Sequence, residues 1–176
     1  MRSIVLRLST GSNSSETVTS SDSALGGKMG NNATGGARFE IPENTFLENA
    51  IFDNISASEN IDGTTDYRCV FIHNNPSVPN ARTLINPKVY ISGSTYAKFQ
   101  LGKASDKNID ATIIDSETTA PSLITFAEHT KDNKLVLGKD LAPGDRWAIW
   151  IKRTATNVGG AGSTNEAFSI IVEGSQ

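Results

Sequence analysis

The chain has 176 residues, with 16 basic and 19 acidic side chains and a formal net charge of −3 at neutral pH. No basic block runs through it, which argues against a nucleic-acid partner, because clustered lysine and arginine are needed to meet phosphates. The single cysteine, Cys69, excludes an internal disulfide and any metal site built from several cysteines. A chain of this length suits one domain and can bury roughly 70% of the surface that it exposes when unfolded.

The first residues contain no apolar run of signal-peptide length, and no stretch approaches the ~20 apolar residues of a membrane span. We therefore expect a protein that is made in a cytoplasm, is not exported by a cleaved signal and has no membrane partner.

The N-terminal part of the chain predicts a strand followed by an arm. Apolar side chains alternate over residues 4–8, which predicts a short strand at the edge of a sheet. Residues 9–38 are rich in Gly, Ser, Thr and Asn, so this stretch cannot form a core of its own. Because a structureless loop of about thirty residues is unusual inside a compact domain, we expect an extended arm that becomes ordered against another subunit. The chain thus divides into residues 1–38, a strand and an arm, and residues 39–176, the main domain.

The middle of the chain contains the strongest strand signal. Residues 38–56 (RFEIPENTFLENAIFDNIS) mix apolar and polar positions and are expected to hold one short strand and one helical turn. Tyr67–Asn74 then alternates cleanly, with Tyr67, Cys69 and Phe71 on one side. This pattern predicts a central core strand in which Cys69 is a small buried side chain.

Further strand-like runs follow, each bounded by turn residues. They are LINPKVYIS (84–92), TYAKFQLGKA (95–104), LITFAEH (123–129), Arg146–Thr154 and AFSIIVEG (167–174). The last two are expected to pair as a hairpin across a glycine-rich loop. Since no segment keeps a helical period, the sequence predicts an all-β fold: an antiparallel β-sandwich, Ig-like or jelly-roll, with an extended N-terminal arm.

The residues that carry chemistry do not assemble into a catalytic set. Cys69 and His73 lie on one side of a strand but are separated by roughly 13 Å, too far for a nucleophile and its base. Two histidines without metal-ligand spacing make a weak zinc case. DGTTD (62–66) and DKNID (106–110) lack the ligand spacing of a calcium loop and are better explained as turns. We expect no catalytic residue, no metal and no cofactor.

Three aromatic residues are the candidate contact sites. Trp147 and Trp150 fall on opposite sides of one strand, so we expect one to enter the core and the other to lie outside, in a subunit interface or a shallow groove. Cover by an adjacent loop is the alternative. Tyr90 is the third candidate for an interface or ligand contact.

The order of several blocks resembles a family of small virion structural proteins of tailed bacteriophages. The blocks are IVLRLSTGSNSS, SALGGKM, IFDNISASENIDGTTDYRCVFIHNN, VYIS, LAPGDRWAIWIKRT and AFSIIVEG. The family pattern has the forms LFDD(I/V)S…YRC…(H/K)N and PG…AIW(I/V)(K/R)R. Residues 75–122 match only loosely, and Asn54 stands where the pattern has a second acid.

The resemblance implies a β-sandwich that assembles in many copies on a phage particle after synthesis in the host cytoplasm. The expected partners are other virion proteins of the capsid, neck or tail and further copies of the chain. The leading hypothesis is therefore a non-enzymatic structural subunit that uses sheet edges and its arm. A carbohydrate-binding module for host-surface glycans, motivated by an exposed tryptophan, is the alternative, and a hydrolase has no nameable catalytic set.

Overall fold

A computed structural model describes residues 3–12, 18, 21–30, 40–42, 51–93, 97–155 and 168–176. Within these ranges it contains one short α-helix, α1, a single 3-10 turn at Ser21–Ser23 and eight strands. The strands are β1 (Ile4–Leu8), β2 (Glu40–Pro42), β3 (Thr65–Asn74), β4 (Ile85–Ser92), β5 (Ala97–Lys103), β6 (Leu135–Val136), β7 (Arg146–Ala155) and β8 (Ser169–Ser175), and α1 spans Ala57–Asp62.

The strands form two antiparallel sheets. One has five strands in the order β2-β1-β3-β7-β5, and the other has three in the order β6-β4-β8. Their facing sides pack together, as the 4.4 Å between the ring centres of Phe99 and Phe168 shows. The all-β sandwich predicted from the alternating pattern is confirmed.

The middle of the five-stranded sheet is covered on both sides. Nine of the ten residues of β3 and seven of the ten residues of β7 are buried, and they include side chains on both faces. The inner face of this sheet, which carries Phe99 and Trp147, meets the three-stranded sheet. Its outer face is covered by loops: the Phe126 ring lies 5.5 Å from that of Tyr67, and Ile124 lies against Gly102. These strands therefore form a core layer that is covered on both faces over most of its length.

The described part of the predicted arm folds onto its own chain. Residues 24–27 form backbone hydrogen bonds with the segment that follows β1, with β3 and with Ala111. The Cys69 N–H donates to Ala24 O at 2.7 Å, so the edge of β3 beyond β1 is completed by this segment. Residues 21–30 are thus ordered against their own chain, because backbone groups in this stretch pair within it. An arm that becomes ordered against another subunit stays a prediction. Residues 13–17, 19–20 and 31–39 lie outside the described residues.

Three strand predictions need correction. β1 is not an edge strand, because it lies between β2 and β3. β7 and β8 do not form a hairpin, since β7 pairs with β3 and β5 whereas β8 pairs with β4 in the other sheet. The run at 123–129 is not a strand; it makes a single bridge, between Ala127 and Leu101. Alternation indicated which segments are extended, but it does not encode their partners.

α1 is fixed at both ends before the chain enters β3. The Ser56 hydroxyl accepts from the Glu59 N–H at 3.2 Å, and the Glu59 carboxylate accepts from the Ser56 N–H at 2.7 Å. These two bonds form a capping box. At the other end Gly63 adopts a left-handed conformation (φ 70°) and donates to Glu59 O at 2.9 Å. The helix thus sets the direction in which the chain enters β3.

Candidate functional site

Trp147 enters the inner face of the five-stranded sheet and is buried. Its indole N–H donates to Ala104 O at 3.0 Å. The Lys103 ammonium lies 5.2 Å from the ring centre and donates to the carbonyls of Val136 and Leu137 at 2.8 and 2.6 Å. Trp147 therefore belongs to the contact between the two sheets.

Trp150 points to the outer face of the same sheet and is also fully buried. It is paired in register with Cys69 and Gly102. A side-chain atom on Gly102 would come within 2.4 Å of Ile124, so the loop lies directly over this part of the sheet. The expectation that one tryptophan lies outside is wrong; cover by a loop, the alternative, is what the structure shows.

Tyr90 is buried but lies at the wall of a groove. The Lys134 ammonium lies 5.4 Å from its ring centre, and Lys134 forms an ion pair with Glu173. Burial raises the pKa of the Tyr90 hydroxyl, and the neighbouring Glu173 carboxylate adds to the rise. The three predicted contact residues are thus not brought together, and only Tyr90 lines an open surface feature.

Cys69 and His73 are held in the core layer as the sequence indicated for Cys69. The Cys69 side chain is fully buried, and this burial raises the pKa of its thiol. A thiol in this state is protonated and is a poor nucleophile. His73 is 6% exposed at the other end of β3, opposite Arg146. Neither residue is placed for acid–base or nucleophilic work.

The described residues include a buried ionic cluster between β3 and β7. Asp66 and Arg153 are directly opposite each other in β3 and β7. Arg153 Nε and Nη2 donate to Asp66 Oδ2 at 3.1 and 2.6 Å. Arg153 also donates to Asp53, to the carbonyl at 2.5 Å and to the carboxylate at 3.2 Å. The Arg153 and Asp66 side chains are only 2% and 5% exposed.

A second arginine joins the cluster through an aromatic ring. The guanidinium carbons of Arg153 and Arg68 lie 4.7 and 5.6 Å from the ring centre of Phe52, within cation–π distance. Arg68 donates to Glu117 and lies 3.7 Å from Asp22. The cluster therefore joins the segment before α1, both central strands and two loops.

The electrostatics of the cluster are those of a structural contact. Burial raises the pKa of the Asp66 carboxyl, and the hydrogen bonds and charge of Arg153 oppose that rise. Asp66 Oδ1 has no hydrogen-bond partner among the described residues. Both arginines face carboxylates at short range, and no nucleophile lies in this cluster, so the arrangement neutralises buried charge.

Sequence reasoning missed these residues, although a signal was present. Arg68 alternates in step with Val70 and Ile72, and Arg153 alternates in step with Ile151. An arginine on the apolar side of a core strand must be buried with a partner. What the sequence does not reveal is which acids are the partners, because the pairing of β3 with β7 is needed to identify Asp66.

The two aspartate-containing loops have turn chemistry. Asp62 ends α1 just before the left-handed Gly63. Asp106 accepts from Lys139 at 2.5 Å and from the Lys107 N–H at 2.7 Å, and these bonds lower the pKa of its carboxyl. Within the described ranges, no three His, Cys, Asp or Glu side chains are arranged to hold a metal ion.

A groove of about 890 Å³ runs beside β8 at the open side of the sandwich. Ile4, Leu84 and Tyr90 contribute apolar surface, and Lys88 and Glu173 contribute charge. Ile85, at the start of β4, is 47% exposed. We refer to this feature as the β8 groove.

Comparisons of the chain with protein-family models, curated proteins and solved structures find no match. In the part of the chain that the structure describes, no helix has the length and apolar character needed to cross a membrane.

Proposed function

We propose that this protein is a non-enzymatic structural subunit of a tailed-bacteriophage virion, present in multiple copies as an accessory capsid-decoration, neck or tail/baseplate component. The observation that carries the proposal is the order of the sequence blocks that resemble such proteins. In this view the chain is synthesised in the host cytoplasm and its final location is the virion.

The ionic cluster suggests a structural reason for residues in two of those blocks. Asp53 and Asp66 belong to the FDNIS…DYRC block, and Arg153 belongs to the AIWIKR block. The fold brings the two blocks into one buried contact. A sequence signature that specifies a scaffold supports a structural role, since a catalytic signature would place reactive groups at an accessible surface.

The state of the potentially reactive side chains also supports a non-enzymatic role. The Cys69 thiol is buried and protonated, and Arg68 and Arg153 are engaged by carboxylates. The carbohydrate-binding alternative depended on an exposed tryptophan. Because Trp147 and Trp150 are both buried, that alternative has lost its motivation and we do not propose it.

Proteomic analysis of purified particles tests the proposal. Virions of the phage that encodes this chain are banded on a density gradient, and peptides of the chain are quantified against those of the major capsid protein. We expect many copies per particle, released together with one substructure when heads and tails are separated. Absence of the chain from infectious particles, while it is abundant in the lysate, overturns the proposal.

A further inference from the structure

Among the described residues no strand lies beside the outer edge of β8, and this edge differs from the other sheet edges. β5 is shielded on its outer side, where Leu101 and Ala127 exchange hydrogen bonds of 2.9 and 3.1 Å. β6 has two residues and β2 has three. β8 has seven residues, SIIVEGS, with a single charged side chain and no proline. Natural edge strands are usually shortened, charged or covered, because an open edge accepts another strand.

The hydrogen-bonding direction of β8 can be read from its neighbour β4. The Ile91 N–H donates to His129 O at 3.1 Å, away from β8. Ile91 and Ile170 are therefore a non-hydrogen-bonded pair, and the backbone groups of Ile170 point to the free edge. By the same alternation those of Val172 and Gly174 also point outward. These groups have no backbone partner among the described residues.

We propose that β8 pairs antiparallel with β8 of a second copy of this chain, joining the two three-stranded sheets into one continuous sheet. This inference rests on the proposed function, since it names the contact through which copies of the subunit associate. A two-fold axis at Val172 places Val172 opposite its counterpart and Ile170 opposite Gly174 of the second copy. In this register the outward backbone groups of Ile170, Val172 and Gly174 pair with those of the second copy. The large side chain of Ile170 then lies opposite a glycine, which leaves room for it.

The charge on the outer surface of the three-stranded sheet favours this occupant. Among the described residues, Lys88, Lys131 and Lys134 lie on or near that surface, and the carboxylates beside them are those of Glu173 and Asp132, which leaves a surplus of positive charge on each copy. In the proposed register Glu173 of the second copy enters the row of Ile171 and Tyr90, over which the Lys134 ammonium lies. The two glutamates are offset from each other, and each approaches the other copy's surplus positive charge. The β8 groove gives the incoming side chains room beside the edge.

Matched substitutions at Ile171 test the register. Ile171 is half-buried on the outer surface and faces Glu173 of the second copy in the proposed pairing. The full chain is examined by sedimentation equilibrium over a concentration series. We expect self-association that Ile171→Glu weakens at least about tenfold and that Ile171→Lys preserves, because only the first creates like charges across the interface. Leu123→Glu, at a fully exposed position outside the β8 groove, is the control and should not change association.

A cross-link between two different variants gives an independent measurement. Ile171→Cys and Glu173→Cys proteins are mixed and oxidised. The proposed register places these positions opposite each other at about 4.5 Å between Cα atoms, a separation that a disulfide accepts. We expect the mixed dimer to form faster than either single-variant dimer; Cys69 is buried and does not compete.

Several outcomes overturn the inference. A chain that stays monomeric at every concentration excludes the second copy as occupant. Equal weakening by Ile171→Glu and Ile171→Lys, or no preference for the mixed disulfide, excludes this register. Abundance in virions together with a monomeric purified chain overturns this inference alone, whereas β8 pairing together with absence from virions overturns the proposed function alone.

Discussion

The two sheets of this sandwich are enclosed to different degrees. The five-stranded sheet is covered on one face by the other sheet and on the opposite face by loops, and the outer side of β5 is shielded near Leu101. The three-stranded sheet buries its inner face, but in the part of the chain that the structure describes the β8 edge and the β8 groove are open. We infer that the first sheet provides stability and the second is available for contact. Substitutions in the five-stranded sheet should therefore lower the free energy of unfolding, whereas substitutions at the β8 edge should change self-association with little effect on stability.

The largest stability loss is expected when the ionic cluster is broken. Asp66→Asn removes the carboxylate that faces Arg153, so the buried guanidinium has less negative charge beside it. We expect this to cost about 3–5 kcal/mol of unfolding free energy. Urea denaturation followed by tryptophan fluorescence measures this difference. The control is Asp22→Asn, because the Asp22 side chain is 74% exposed and such pairs contribute at most about 1 kcal/mol. Similar losses in both variants would show that the cluster does not anchor the sheet.

A smaller loss of stability is expected when a side chain is added at Gly102, beneath the loop that contains Ile124. A Cβ at Gly102 would lie 2.4 Å from Ile124 Cγ2 and 2.8 Å from Thr125 O. Gly102→Ala should therefore cost about 1–3 kcal/mol through overpacking, as measured by urea denaturation. The same substitution in an Ile124→Ala background should cost less, because the closest atom is absent. An equal cost in both backgrounds would mean that the loop does not press on Gly102.

The capping box of α1 should contribute less to the free energy of unfolding than Gly102 does, and its contribution should depend on pH. Ser56→Ala removes the hydroxyl that caps α1 and should cost about 1 kcal/mol at neutral pH. Hydrogen bonds from Ser56 lower the pKa of the Glu59 carboxyl. Its folded pKa is thus below the unfolded value of about 4.3, so its contribution is complete above that value and is lost as the pH falls through the folded pKa.

Glu59→Gln isolates the charge, because glutamine keeps the reciprocal hydrogen bond of the capping box. The stability difference between the parent and this variant should be present at neutral pH and shrink at an acidic pH below the unfolded value of about 4.3. Denaturation curves at both pH values measure it. A difference that grows on acidification would contradict the sign derived from the lowered pKa.

The smallest effect on stability is expected at the open surface. Glu173→Gln removes the acid that pairs with Lys134, but both side chains are partly exposed, at 40% and 25%. We expect an unchanged urea midpoint together with weaker self-association. A large shift in the midpoint would show that this surface stabilises the monomer, and the contrast between the two sheets would then fail.

The sequence predicted the extended segments better than it predicted their neighbours. Tyr67–Asn74 and Arg146–Thr154 were found as strands because period-two alternation is a local property. That they pair with each other, and that β7 and β8 lie in different sheets, depends on contacts between distant residues. The same limit explains Trp150: alternation gives the side of the strand, but the cover comes from Ile124 and Phe126 in a loop with no strand pattern.

In the candidate site, too, features that depend on one segment were predicted, whereas features that depend on contacts between distant segments were not. Cys69 was predicted as a core residue from its own strand, and it is one. The arm was inferred from composition alone, yet residues 21–30 fold back because their glycine- and serine-rich backbone can approach β3 and Ala111 closely. The Asp66–Arg153 pair depends on the register between two strands, which composition does not contain.

The position of β7 inside its sheet has a consequence during synthesis. Asp66 and Arg153 are 87 positions apart, so the nascent chain carries β3 for a long interval before its neighbour leaves the ribosome. During that interval the edge of β3 that pairs with β7 has no neighbouring strand, and the Asp66 carboxylate lacks its partner Arg153. Such intermediates attract chaperones and tend to aggregate. A chain interrupted before residue 146 should consequently collect in inclusion bodies and should not persist as a smaller folded unit.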